Sequence, residues 1–194
     1  TVINYLNPII SGKTIKSISN PNGYENVFDK KGPSYFNSIL LNKTIKNVTR
    51  RGKYIIINLD TGYLLVHLRM TGKLQINKPN KKNMKYVSFQ ISFNDKTKLF
   101  FKDVRKFGRV YYSKNLQWLE DKLGVEPLSK HFTSTLLFNS LNKYKRMIKP
   151  FLLDQKFIAG LGNIYVDEAL WQSQIHPKAI TNTISKEKIN SLTN

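Results

Sequence analysis

The sequence predicts an α+β chain, with an N-terminal antiparallel β-sandwich and flanking helices followed by an all-α domain. Three observations carry this prediction. Residues 86–93 alternate, with Val87, Phe89, Ile91 and Phe93 facing one way and Ser88, Gln90 and Ser92 the other, the period of a strand with one buried face. The apolar runs 53–59 and 63–68 are joined by Asp60, Thr61 and Gly62, a hairpin signal. After Leu116 strand patterns stop, and only helical patterns follow.

The elements follow in order. Residues 1–11 predict a short helix, with Val2, Ile3, Leu6 and Ile10 apolar and Gly12 ending it. Short strands come next, broken by Pro21, Asn22 and Gly23. Pro33 and Ser34 open a helix through Leu41. From Lys43 the pattern turns to strands: the hairpin, the alternating run 86–93, a strand reached through Asn94 and Asp95 that runs to Phe101, and a last one at 109–112. Several antiparallel strands with apolar faces imply two packed sheets. Helices are expected near 116–123, 134–144, 147–155, 163–174 and 185–194. Residues 124–129, GVEPLS, read as a linker, so the domains are expected at 1–124 and 125–194.

Composition narrows the function. The chain has 194 residues and a formal net charge of +20, which favours a polyanionic partner such as nucleic acid. Only 6 of the 32 basic residues are Arg, and Asn and Ile are abundant, a bias that an AT-rich genome produces without any such partner. There is no cysteine, which removes disulfides, thiol catalysis and Cys-based zinc sites. His67, His131 and His176 lie far apart and lack metal-ligand spacing. No apolar run approaches a membrane span and no signal peptide opens the chain, so a cytoplasmic location without membrane contact is expected. Thr1 is not a start methionine, which reads as processing or truncation.

Residues 149–177, KPFLLDQKFIAGLGNIYVDEALWQSQIHP, are the most informative stretch. They read as a helix, a tight glycine turn and a second helix. Gly160 and Gly162 flank Leu161 and permit unusual backbone angles. Asn163 stands where a helix N-cap belongs. A helix start fronted by glycines presents free N–H groups, which suits a phosphate.

This stretch closely resembles the helix–two-turn–helix of the formamidopyrimidine-DNA glycosylase (Fpg) family, the base-excision enzymes that remove oxidised purines. The resemblance extends over nearly the whole chain. It implies an N-terminal β-sandwich, a helix–two-turn–helix domain, and DNA in the cleft between them. RRGKY at 50–54 matches a family motif whose lysine grips a phosphate, which assigns Lys53 to that role. His67, in HLRMTG, is similarly assigned to a phosphate beside the lesion. Met70 in the same motif is assigned to fill the space left by an extruded base. A base must leave the stack before its sugar can be attacked, and an adaptable thioether suits the gap. Arg69 departs from the family's usual glycine. KDVRKFG at 102–108 resembles DPRRFG, which carries over Arg105 to the orphaned cytosine and Phe107 as the aromatic wedge. Val104 and Lys106 depart from the family's proline and second arginine. Asn163, Gly160 and Gly162 complete the phosphate contacts.

By the same resemblance, an N-terminal proline would attack the sugar and form a Schiff base, with a following glutamate as acid–base partner. Thr1 aligns just past that block, and a zinc finger would lie beyond Asn194. The 194 residues thus read as an interior piece without catalytic residues or a cofactor of their own, inactive alone. The expected partner is double-stranded DNA with oxidised bases or abasic sites, bound by a monomer. Three other readings stay open: a non-catalytic damaged-DNA-binding protein, a related glycosylase for oxidised pyrimidines, and an RNA- or ribosome-associated protein sharing only the helix–two-turn–helix.

Overall fold

The computed structural model describes residues 2–29 and 31–193. Thr1 and Asn194, the ends of two expected helices, lie outside them. The chain divides into two compact units, Thr1–Leu116 and Gln117–Asn194.

The first unit holds α1 (Val2–Ile10), β1 (Ile15–Ser19), α2 (Gly32–Leu40), β2 (Ile45–Arg51), β3 (Tyr54–Leu59), β4 (Tyr63–His67), β5 (Lys73–Gln75), α3 (Lys81–Met84), β6 (Val87–Phe93), β7 (Lys98–Lys102) and β8 (Arg109–Ser113). The strands form two four-stranded sheets, ordered β1-β6-β7-β5 and β2-β3-β4-β8. All pairings are antiparallel. Ile15, Phe89, Ile91, Phe93, Leu99 and Phe101 of the first sheet share one core with Ile45, Ile55, Ile57, Leu64, Val66 and Val110 of the second. Leu6 and Ile10 of α1 and Phe36 and Leu40 of α2 close that core. The expected sandwich with flanking helices is therefore present.

Three local expectations change. Only one strand, β1, precedes the next helix. Beyond Pro21–Gly23 the chain makes a 3-10 turn at Glu25–Phe28, which buries Val27 and Phe28 as a plug. β5 and α3 carry too few residues to show a period: β5 buries Leu74 alone and α3 buries nothing.

Register decides what lies at each end of the sandwich. Tyr54 pairs with His67 and His67 with Arg109 in one sheet. Lys73 and Val87 both pair with Lys102 in the other. The turn before Tyr54 and the loops 68–72 and 103–108 therefore share one end. Both loops cross between the sheets there, one from β4 to β5 and the other from β7 back to β8.

The second unit contains α4 (Gln117–Lys122), α5 (Ser134–Asn142), α6 (Ile148–Leu153), α7 (Asn163–Gln172) and α8 (Lys186–Thr193). Its core gathers Leu137, Leu141, Ile148, Phe151, Leu152, Ile158, Val166, Leu170 and Ile189. The Arg146 guanidinium lies 4.8, 5.0 and 5.8 Å from the ring centres of Phe151, Phe157 and Tyr144, and 3.2 Å from Asp154. It bridges these rings to the turn after α6.

Candidate nucleic-acid interface

Five of the residues singled out from sequence collect at that one end of the sandwich. Lys53 follows Gly52 at the β2–β3 turn, where Gly52 takes φ 56°. The residue as a whole is exposed, yet neighbouring protein atoms and then the Arg69 charge hold its pKa below the ordinary 10.5. His67, at the end of β4, is buried to 9% exposure and meets Tyr54 edge-on, with ring centres 4.8 Å apart. Its Nδ1 accepts the Arg69 N–H at 3.1 Å. With Nδ1 accepting, the ring proton sits on Nε2. Burial raises the pKa of the Tyr54 hydroxyl, Arg69 opposes that rise, and Asp29 adds to it.

Met70 and Phe107 are not core residues. Met70 is 70% exposed and Phe107 53% exposed. The loops that present them are tied together. The Arg105 guanidinium reaches the Met70 sulfur at 3.0 Å, and the Arg105 N–H donates to the Thr71 hydroxyl oxygen at 3.1 Å. Gly72 and Gly108 both lie on the buried ring of Phe101. A Cβ at Gly72 would stand 2.8 Å from that ring and 2.4 Å from the Leu68 carbonyl oxygen, and one at Gly108 would stand 2.3 Å from the ring. These glycines are required by close approach, not by an unusual backbone angle.

Arg69 and Lys106, which depart from the resembled motifs, share a backbone feature. Both adopt left-handed φ, 55° and 58°. A glycine at position 69 would suit that conformation without strain. Lys106 is braced: its carbonyl accepts from the Tyr24 hydroxyl and from Arg109 Nη1 at 3.2 Å, and its ammonium lies 5.2 Å from the Tyr24 ring centre.

In the second unit the glycine turn leads into α7. Gly162, not Asn163, holds the N-cap position, with φ −122° and ψ 174°. Asn163 is the first helical residue, and no side chain caps the helix. The N-cap expectation for Asn163 is thus corrected: the chain enters the helix one residue earlier. The first turn, 163–165, has N–H groups that no intrahelical carbonyl can reach, with the positive helix end behind them. Of the two glycines only Gly160 takes a left-handed φ, 95°. Gly162 is extended, a conformation open to any residue. Gln155 shapes the turn: its amide donates to the Leu153 carbonyl at 2.8 Å and the Leu161 carbonyl at 3.0 Å, and its Oε1 accepts the Gly160 N–H at 2.9 Å.

Sequence reasoning missed the supports: Asp103, Thr71, Tyr24, Arg109 and Gln155. Asp103, Thr71 and Gln155 stand inside the quoted motifs, but their partners are set by the fold. Among the described residues no group of three or more His, Asp or Glu is placed to hold a metal ion, and no helix is long and apolar enough to cross a membrane.

Comparison with known proteins agrees along the chain. The profile of the formamidopyrimidine-DNA glycosylase N-terminal domain matches residues 1–110, and that of the formamidopyrimidine-DNA glycosylase H2TH domain matches 123–194. A formamidopyrimidine-DNA glycosylase of Protochlamydia amoebophila is 42% identical over 161 residues, spanning 82% of this chain and 58% of that protein. The Bacillus subtilis protein of the same name is 37% identical over 197 residues, spanning 99% of this chain and 71% of its own length. The Lactococcus lactis formamidopyrimidine-DNA glycosylase, in a crystal structure with DNA containing an AP site, superposes with a TM-score of 0.89 at 36% identity, covering 99% of this chain and 74% of that one. A complex of the Lactococcus lactis protein with Fapy-dG-containing DNA gives the same score and identity. With both domain profiles matched and relatives more than a third identical along nearly its whole length, the chain belongs to the formamidopyrimidine-DNA glycosylase family.

Proposed function

We propose that this chain binds duplex DNA carrying oxidised purines or abasic sites, and serves a base-excision glycosylase and abasic-site lyase reaction inside the cell as a monomer. One observation carries the reading most strongly. Met70, Arg105 and Phe107 stand exposed on two loops tied together at one end of the sandwich. Exposed apolar side chains among cations have little use in water and fit the gap and base step of a disrupted duplex. Lys53 and His67 at the same end, and the α7 start with Asn163, Gly160 and Gly162, supply the phosphate contacts in this reading. Arg105 reads the base left unpaired. The bond-breaking step is assigned to no residue among these 194.

Affinity for a duplex with one abasic-site analogue, measured beside the matched undamaged duplex across a salt series, tests the reading. Preference for the damaged duplex and a steep fall with salt, about 0.9 in log–log slope per phosphate, are expected. Equal, salt-insensitive binding would sink it.

A further inference from the structure

A buried carboxylate fastens the Met70 loop to the Phe107 loop. Asp103 is 1% exposed. Its Oδ2 accepts the Gly108 N–H at 2.7 Å, and its Oδ1 accepts the Thr71 hydroxyl. The Thr71 oxygen accepts the Arg105 N–H at 3.1 Å. This chain of hydrogen bonds starts and ends in loop 103–108 and passes through loop 68–72. The Asp103 N–H donates to the Tyr86 carbonyl at 2.8 Å, which anchors the junction to the approach of β6. The Phe101 ring lies beneath Gly72 and Gly108 and gives both loops one floor.

Burying a carboxylate is costly, and a well-packed apolar side chain would fill the same volume with less penalty. What the carboxylate adds is direction. Moving one loop away from the other would strip Asp103 of the Thr71 hydroxyl and leave a buried charge short of a partner. The loops therefore resist moving separately.

We infer that Asp103 and Thr71 are positioning residues that make the two loops a single body, so that Met70 enters one strand and Arg105 and Phe107 engage the other in one event. The inference rests on the DNA-lesion reading proposed above. Independent loops would pass through states with one wedge inserted and the other not. Coupled loops insert both or neither.

The test is a set of substitutions read as lesion preference, the ratio of Kd for an undamaged duplex to Kd for one with an abasic-site analogue. Thr71→Val removes the hydroxyl that both donates to Asp103 and accepts from Arg105, and should lower the preference about tenfold. Thr71→Ser keeps the hydroxyl and should keep the preference. Asp103→Asn keeps the shape but replaces one of the two accepting oxygens with an amide nitrogen that faces a donor, and should also lower the preference. In the parent, Met70→Ala and Phe107→Ala together should lose little more than the worse of the two alone, whereas in Thr71→Val their losses should add. Circular dichroism shows which variants fold. Parental preference in folded Thr71→Val, or additive losses in the parent, would overturn the coupling while leaving the DNA reading intact. No lesion preference in the parent itself would overturn both.

Discussion

Arg69 and Lys106 share one left-handed backbone conformation, φ 55° and φ 58°, and each stands directly before an exposed apolar side chain, Met70 or Phe107. A left-handed residue reverses the chain sharply, which turns the next side chain outward. Non-glycine residues hold that conformation at a cost of about 1–3 kcal/mol. The His67 ring nitrogen braces the first through the Arg69 N–H, and Tyr24 with Arg109 braces the second through the Lys106 carbonyl. Each wedge thus has a cation as its neighbour in the chain.

Arg69→Gly should therefore separate fold from binding. Relief of the strained angle, less the greater freedom of glycine in the unfolded chain, should raise stability by about 1 kcal/mol. Loss of the charge should weaken duplex binding and reduce the salt slope by about 0.9 if Arg69 meets a phosphate. Melting curves and a salt series check both. A lower melting temperature would mean that the arginine makes contacts that outweigh the strain.

Duplex affinity should also fall with rising pH earlier than an ordinary lysine dictates. Neighbouring protein atoms and then Arg69 lower the Lys53 pKa from 10.5. For folding, the charged form is the disfavoured one, so that cost is present at neutral pH and fades as the pH rises through the lowered value. Phosphate binding needs the ammonium, so affinity falls over the same window. Arg69→Gly should move the fall to higher pH, and Lys53→Arg should remove it from the alkaline range. A titration at constant ionic strength that gives the parent and Lys53→Arg the same profile would exclude Lys53 as the titrating phosphate contact.

What could be read from the sequence follows from where the information lies. The hairpin at Asp60-Thr61-Gly62 and the alternation over 86–93 are local patterns, and both elements form with bounds close to those expected, but the register shifts between Val87 and Phe89 and Ser88 is buried instead of lying on an open face. β5 is invisible because three residues with one buried leucine define no period. The left-handed angles at Arg69 and Lys106 have no local signature, since neither residue type favours them. Asp103 looks like a loop carboxylate until the fold brings Thr71, 32 positions away, against it. The cap expected at Asn163 lies one residue later than the cap that forms, because Gly162 can occupy a cap site without a capping side chain.

Met70→Ala and Phe107→Ala should leave stability within about 0.5 kcal/mol of the parent, as expected for exposed positions. Each should weaken binding to the abasic-site duplex and leave undamaged duplex binding far less affected. Destabilisation by about 3 kcal/mol, as in core truncations, would place either side chain in the core.

Arg146 should matter to the fold of the second unit. Its guanidinium faces three aromatic rings and Asp154 at 3.2 Å. Arg146→Ala should cost about 2 kcal/mol through lost cation–π contact and packing. Arg146→Lys should recover less than half, because an ammonium cannot stack as a planar group does. Denaturant unfolding decides the matter, and full recovery by lysine would reduce the site to simple charge.

Gln155 is the point at which the glycine turn can be tested without touching Asn163. Its side chain uses both amide hydrogens and its oxygen, on the Leu153 and Leu161 carbonyls and the Gly160 N–H. Gln155→Leu leaves those three backbone groups to partial solvation and should destabilise the second unit by about 2 kcal/mol. Gln155→Glu keeps the shape but replaces the donor with a charged oxygen facing two carbonyls. It also sets a negative charge in the turn that leads into the α7 start, where a phosphate is expected to sit. The glutamate variant should therefore lose more duplex affinity than the leucine variant, with the difference shrinking at high salt. Protonating the glutamate at mildly acidic pH should restore the donor to one carbonyl and recover part of the binding. If the two variants bind alike at every salt concentration, the turn acts through its shape alone and the α7 start is not a phosphate site.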